Sequence, residues 1–96
     1  MDKVHHIAVQ VDDIGRAVMW YQVHFQVDVR YQDESWAMVS FANIDLALVR
    51  PNEHPAHFAV ERADAAGFGN LRDHRDGTRS TYIEDLCGNC IEILST

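Results

Sequence analysis

The chain has 96 residues, 47% hydrophobic and 24% charged, and its fifteen Asp and Glu outweigh eight Lys and Arg for a net charge of −7. Such a length is one domain's worth of chain, which excludes a separate cofactor domain, and the composition is too apolar for disorder. The acidic balance argues against nucleic acid and anionic membrane as main partners, because both need a basic patch.

Residues 4–11 alternate, with Ile7, Val9 and Val11 on one face and His6, Ala8 and Gln10 on the other, the period of a half-buried strand. Asp12-Asp13 then offers a helix N-cap, and Ile14, Val18, Tyr21 and Phe25 form one stripe of an amphipathic helix. Residues 27–31, 36–41 and 44–49 read as three short strands separated by polar turns. The Pro-marked segment 51–55 is a connector and the only candidate internal boundary.

The pattern then restarts. His6-Ile-Ala-Val-Gln-Val-Asp-Asp13 and His57-Phe-Ala-Val-Glu-Arg-Ala-Asp64 share His, Ala, Val and Asp in register, 51 residues apart. A short helical stretch is expected at 64–68 and strands at 81–84 and 90–94, joined by the turn 85–89; residues 71–77 are too polar to assign to a strand. Ile44-Asp45-Leu46 resembles Ile91-Glu92-Ile93, so both halves also end alike. The expected fold is α+β: one domain of two β-α-β-β-β modules, about 1–50 and 56–96, the second shortened. Together they would form a curved mixed sheet around a cleft.

Strand parity makes a chemical point. If the aliphatic faces pack under the helices, the opposite face carries His6, His57, Asp45 and Glu92. Polar side chains gathered on one sheet face need water or a metal, because burying them unpaired costs several kcal/mol each. Two His and one carboxylate are the ligand set of Fe(II), Mn, Ni and Zn sites. The competing reading makes them partly exposed polar residues lining a metal-free groove. His5 shares a face with Ile7 and reads as a packing or edge histidine, while Trp36 and Met38 suit the apolar wall of a cavity. Trp20 and Tyr21 read as core or dimer contacts. His74, in the Asp76-Gly77 turn, either reaches a cavity as an acid–base group or sits in a solvated turn. Cys87 and Cys90 are too few for a disulfide framework, and their spacing lacks the helix of a redox motif or the second pair of a zinc ribbon. With the charged N-terminus and no apolar run of roughly 18 residues, a cytoplasmic location is expected.

Three phrases in order, His5-His-Ile-Ala-Val-Gln-Val-Asp-Asp13, His57-Phe-Ala-Val60 and Tyr82-Ile-Glu-Asp-Leu-Cys-Gly-Asn-Cys-Ile-Glu92, resemble the vicinal oxygen chelate superfamily of glyoxalase, bleomycin-resistance and extradiol-dioxygenase proteins. The resemblance covers essentially the whole chain. It implies His6, His57 and Glu92 as metal ligands and Tyr82 as a site tyrosine, with Glu84 or His74 moving protons. A fourth ligand used by the glyoxalase branch falls on Asp45 or, in the stricter strand alignment, on Ala47. A His-His-Glu set without it is more like the extradiol branch, although the further acid–base His of those enzymes has only His24 and His54 as candidates here. The function implied is a divalent-metal-dependent enzyme, with Fe2+ favoured over Mn2+, Ni2+ or Zn2+, acting on a small oxygen-chelating substrate. A non-catalytic drug- or aromatic-binding protein is the alternative, and a module pairing through its sheet edges is a third reading. A homodimer is expected to complete the cleft.

Overall fold

The computed structural model describes all 96 residues. Its elements run β1 (Lys3–Gln10), α1 (Ile14–His24), β2 (Asp28–Gln32), β3 (Trp36–Ser40), β4 (Asp45–Val49), β5 (His57–Arg62), a 3-10 turn (Ala65–Gly67), β6 (Arg72–Asp73), β7 (Arg79–Glu84) and β8 (Cys90–Ser95). These are the two expected β-α-β-β-β modules, eight strands with one α-helix, the second module trimmed to a three-residue 3-10 turn and a two-residue strand. The chain divides into two compact units, one of residues 6–56 and one of residues 1–5 with 57–96.

In the unit of residues 6–56, strands order β2-β3-β4-β1; β1 and β4 are parallel and the other pairs antiparallel. Asp13 caps α1 by accepting a hydrogen bond from the Arg16 amide at 3.0 Å. Ile14 and Val18 of the helix are buried on Ala37, Val39 and Leu48, with Val9, Val11, Tyr21, Val29 and Leu46 packed around them. Burying each such Val, Leu or Ile contributes about 1.5–3 kcal/mol, so this face anchors the module. The opposite face carries a second cluster, Ala8, Ala47 and Val49 with Trp36 and Met38 against them.

The other unit repeats the plan: β5 and β8 are parallel, β7 runs antiparallel to β8, and β6 antiparallel to β7. Here a 3-10 turn offers far less cover than an 11-residue helix, and Phe58, on the face expected to lie beneath a helix, stays exposed together with Phe68. The Arg62 guanidinium lies over the Phe68 ring and binds Asp2 and Asp64, which hold it charged well above its ordinary range. No helix is long and apolar enough to cross a membrane.

The registers fix how the modules correspond. Ala8 lies opposite Ala47, and Ala47 opposite Met38; Ala59 lies opposite Glu92, and Glu92 opposite Tyr82. With Ala8 and Ala59 equivalent in the repeat, Glu92 corresponds to Ala47 and Tyr82 to Met38. Trp36 and Ser80 correspond by the same count, and so do Asp45 and Cys90. The match of Ile44-Asp45-Leu46 to Ile91-Glu92-Ile93 is therefore two residues out, and the stricter alignment onto Ala47 is the one the strands adopt.

Candidate metal centre

The unit of residues 1–5 and 57–96 buries an ionisable cluster. His57, at the start of β5, is 9% exposed, Glu92 in β8 is 5% exposed and Ser80 in β7 is 1% exposed. His57 Nε2 stands 3.3 Å from Glu92 Oε1. The second oxygen, Oε2, accepts a hydrogen bond from Ser80 Oγ at 2.7 Å and lies 3.4 Å from His74 Nε2. His74 Nε2 is in turn 2.6 Å from Ser80 Oγ. No buried side-chain polar atom is left without a partner, as the cost of burying polar groups requires.

Local sequence explains how each group arrives. Tyr82 and Ser80 share the β7 face that bears on Glu92, because Tyr82 is its register partner and Ser80 is two residues away. The Tyr82 ring meets His57 edge-on, with centroids 5.2 Å apart. Burial, reinforced by Glu92 and Cys90, pushes the Tyr82 hydroxyl well above its ordinary range. His74 opens a tight turn in which its amide donates to the Thr78 carbonyl and the Gly77 amide donates back to the His74 carbonyl. Gly77 takes φ +87°, and Asp76 accepts from the Thr78 amide and hydroxyl. His74 thus opens an exposed Asp-Gly turn while its ring stands beside Glu92.

The turn preceding Glu92 is built on Asp85, which accepts from the Cys87 and Asn89 amides and from Asn89 Nδ2, contacts that hold its carboxyl below the usual range. Gly88 adopts φ +82° there. Cys87 is exposed and Cys90 half-buried, both as free thiols; burial, with Glu84 and Glu92 nearby, raises the Cys90 thiol. Glu84 is exposed at the end of β7, on the Tyr82 face.

In the unit of residues 6–56, His6 is half-buried on β1 and lies opposite Asp45. Asp45 Oδ1 accepts a 2.6 Å hydrogen bond from Ser40 Oγ. The position matching Glu92 is Ala47, 4% exposed among Val49, Trp36 and Met38, so this module supplies no carboxylate there. His24 stacks on Trp20 and bonds its carbonyl at 2.8 Å, within the last turn of α1. His54 sits in the connector, its carbonyl accepting from Gln10 Nε2.

Ser80 was missed by sequence reasoning, which began that strand at Thr81. Its signal is the alternation Ser80, Tyr82, Glu84 against Thr81 and Ile83.

The donor chemistry fits a cation. Two atoms each about 2.1 Å from a metal stand about 3.0–3.4 Å apart at angles from octahedral to tetrahedral, and the His57–Glu92 separation of 3.3 Å falls within that edge.

No protein-family model matches the chain, and no curated protein matches it. Solved structures do. A glyoxalase/bleomycin resistance protein/dioxygenase superfamily member from Vibrio splendidus matches with a TM-score of 0.76 at 12% identity, over 100% of both chains. Methylmalonyl-CoA epimerase from Mycobacterium tuberculosis matches at 0.77 and 16% identity, over 96% of this chain and 86% of that one. A Streptomyces coelicolor methylmalonyl-CoA epimerase variant, in complex with 2-nitronate-propionyl-CoA, matches at 0.74 and 18%, over 98% and 96%. At these identities the likeness speaks to fold.

Proposed function

We propose, on the premise that the chain has the vicinal oxygen chelate fold, that it is a divalent-metal-dependent enzyme acting on a small substrate with two neighbouring oxygens. His6, His57 and Glu92 are the proposed donors, a His/His/Glu set in which each residue offers one ligand atom. The observation that carries the reading is the buried His57–Glu92 pair, a donor pair at coordination spacing. A bound divalent ion would act there as a Lewis acid on the substrate oxygens, and this donor set suits Fe2+ first, then Mn2+, Ni2+ or Zn2+.

The chain's own groups divide the remaining work. Tyr82, beside His57 and opposite Glu92, donates a hydrogen bond to a substrate oxygen. Glu84, exposed on the same strand face, accepts or returns a proton. Ala47 in the place of a fourth carboxylate supports a three-donor set and, with it, the extradiol branch over a glyoxalase-type site. The poorly covered second module, with Phe58 and Phe68 exposed, supports a homodimer.

Oxygen-electrode assays on anaerobically Fe(II)-loaded protein with catechols test the branch, and uptake that depends on Glu92 is the expected result. Absence of uptake, with α-hydrogen exchange of an oxygen-chelating thioester in deuterated water, would move the chain to the isomerase branch. A metal-free protein that binds aromatic ligands without turnover would make it a sequestering protein instead.

A further inference from the structure

We infer that His74, acting through Ser80, is a positioning residue that ties down one oxygen of Glu92 so that only the other is presented to the cation. The inference rests on the proposed role of Glu92 as a ligand. Ser80 has one hydroxyl proton, and it goes to Glu92 Oε2 at 2.7 Å. The hydroxyl oxygen must therefore accept from His74, whose Nε2 lies 2.6 Å away and carries the proton. The relay is directional: His74 Nε2–H to Ser80 Oγ–H to Glu92 Oε2. Oε1 is left facing His57 at 3.3 Å.

Two features show that this arrangement is built. Ser80 is almost wholly buried, and its counterpart in the first module is Trp36. A buried strand position that takes a small hydroxyl in place of a large ring gains no apolar area, and it is tolerated when the hydroxyl both donates and accepts. The 74–78 turn, closed by its own backbone bonds, by the positive φ of Gly77 and by Asp76, delivers the imidazole to that hydroxyl. A carboxylate held by one oxygen occupies a single coordination position and leaves another for the substrate's paired oxygens. Outer-shell partners of this kind typically govern metal affinity by about 10–100-fold.

The test uses Co(II) as the probe on the full-length protein, with affinity from chelator competition and coordination from the visible d–d spectrum. Ser80→Ala is expected to bind Co(II) about 10–100-fold more weakly, with an altered d–d band, and His74→Ala to shift both in the same direction. Ser80→Thr, which restores the hydroxyl, is expected to recover affinity and spectrum. Thermal melts in EDTA establish that each variant folds, and His74→Ala carries the same readouts if Ser80→Ala does not. Wild-type affinity and spectrum in the Ala variants would overturn the relay while leaving Glu92 a ligand. Failure of Ser80→Thr to recover either property, with the fold intact, would also overturn it. Wild-type protein that takes up no Co(II) would remove the ligand role of Glu92 and the relay with it.

Discussion

Replacing Ala47 by Glu places at one position of the first module the residue that its counterpart, Glu92, has in the second. Ala47 is buried in an apolar cluster with Ala8, Val49, Trp36 and Met38, whereas Glu92 is paired with Ser80, His57 and His74 within its own module. A neutral carboxyl buried in such a place costs about 1–3 kcal/mol, and a pKa raised by about three units adds about 4 kcal/mol at neutral pH. The total approaches the net stability of roughly 5–14 kcal/mol expected for a chain of this length. The sign with pH is set by the raised folded-state pKa. The folded protein holds the proton more tightly, so the penalty is smallest below the unfolded value of about 4.3 and grows as pH rises toward the folded value. Urea unfolding followed by tryptophan fluorescence, in EDTA at pH 4.5 and pH 7.5, reads the difference. Ala47→Met is the volume control; its overpacking costs about 1–3 kcal/mol without pH dependence. If Ala47→Glu matches Ala47→Met at both pH values, the apolar surroundings assigned to Ala47 are wrong.

Other consequences are as direct. Divalent metal at 100 times its dissociation constant stabilises a binding protein by about 2.7 kcal/mol, a rise of roughly 10–20 °C in Tm at this size. Differential scanning calorimetry should show that rise in the wild type and none in Glu92→Ala. Asp85→Ala should lower Tm most near neutral pH and least near pH 3: its depressed carboxyl contributes above the unfolded value of about 3.9 and loses that contribution on acidification. Equal losses at both pH values would contradict that role. A Cβ on Gly69 would lie 2.7 Å from Thr81 Oγ1, so Gly69→Ala should destabilise, and adding Thr81→Ala should recover most of the loss in a double-mutant cycle.

Much of the fold was legible because strand parity and the 51-residue offset are local patterns. They placed Val9, Val11, Leu46 and Leu48 under the helix and aligned His6 with His57, while Ile7, expected on the same face, is exposed. The strand ends were less legible for a physical reason. A slip of two residues leaves every side chain on its proper face, so alternation cannot distinguish Asp45 from Ala47; only the hydrogen-bonded register can. Phe58 obeys the parity yet stays exposed, because burial also depends on cover, and a 3-10 turn supplies little. His74 was legible as a residue but not as a role. Its position depends on a turn closed by Gly77 and on a hydroxyl at Ser80, just outside the strand that alternation predicts at 81–84.

The metal-binding proposal names His57, Glu92 and His6 as the donors to one divalent cation. Its most direct test is metal analysis of protein purified without chelators or a nickel column, then loaded anaerobically with Fe(II), Mn(II), Ni(II) or Zn(II) and desalted. About one equivalent of at least one of these ions per chain is expected, falling to background in His57→Ala and Glu92→Ala. Wild-type protein that retains less than about half an equivalent of every ion would contradict it.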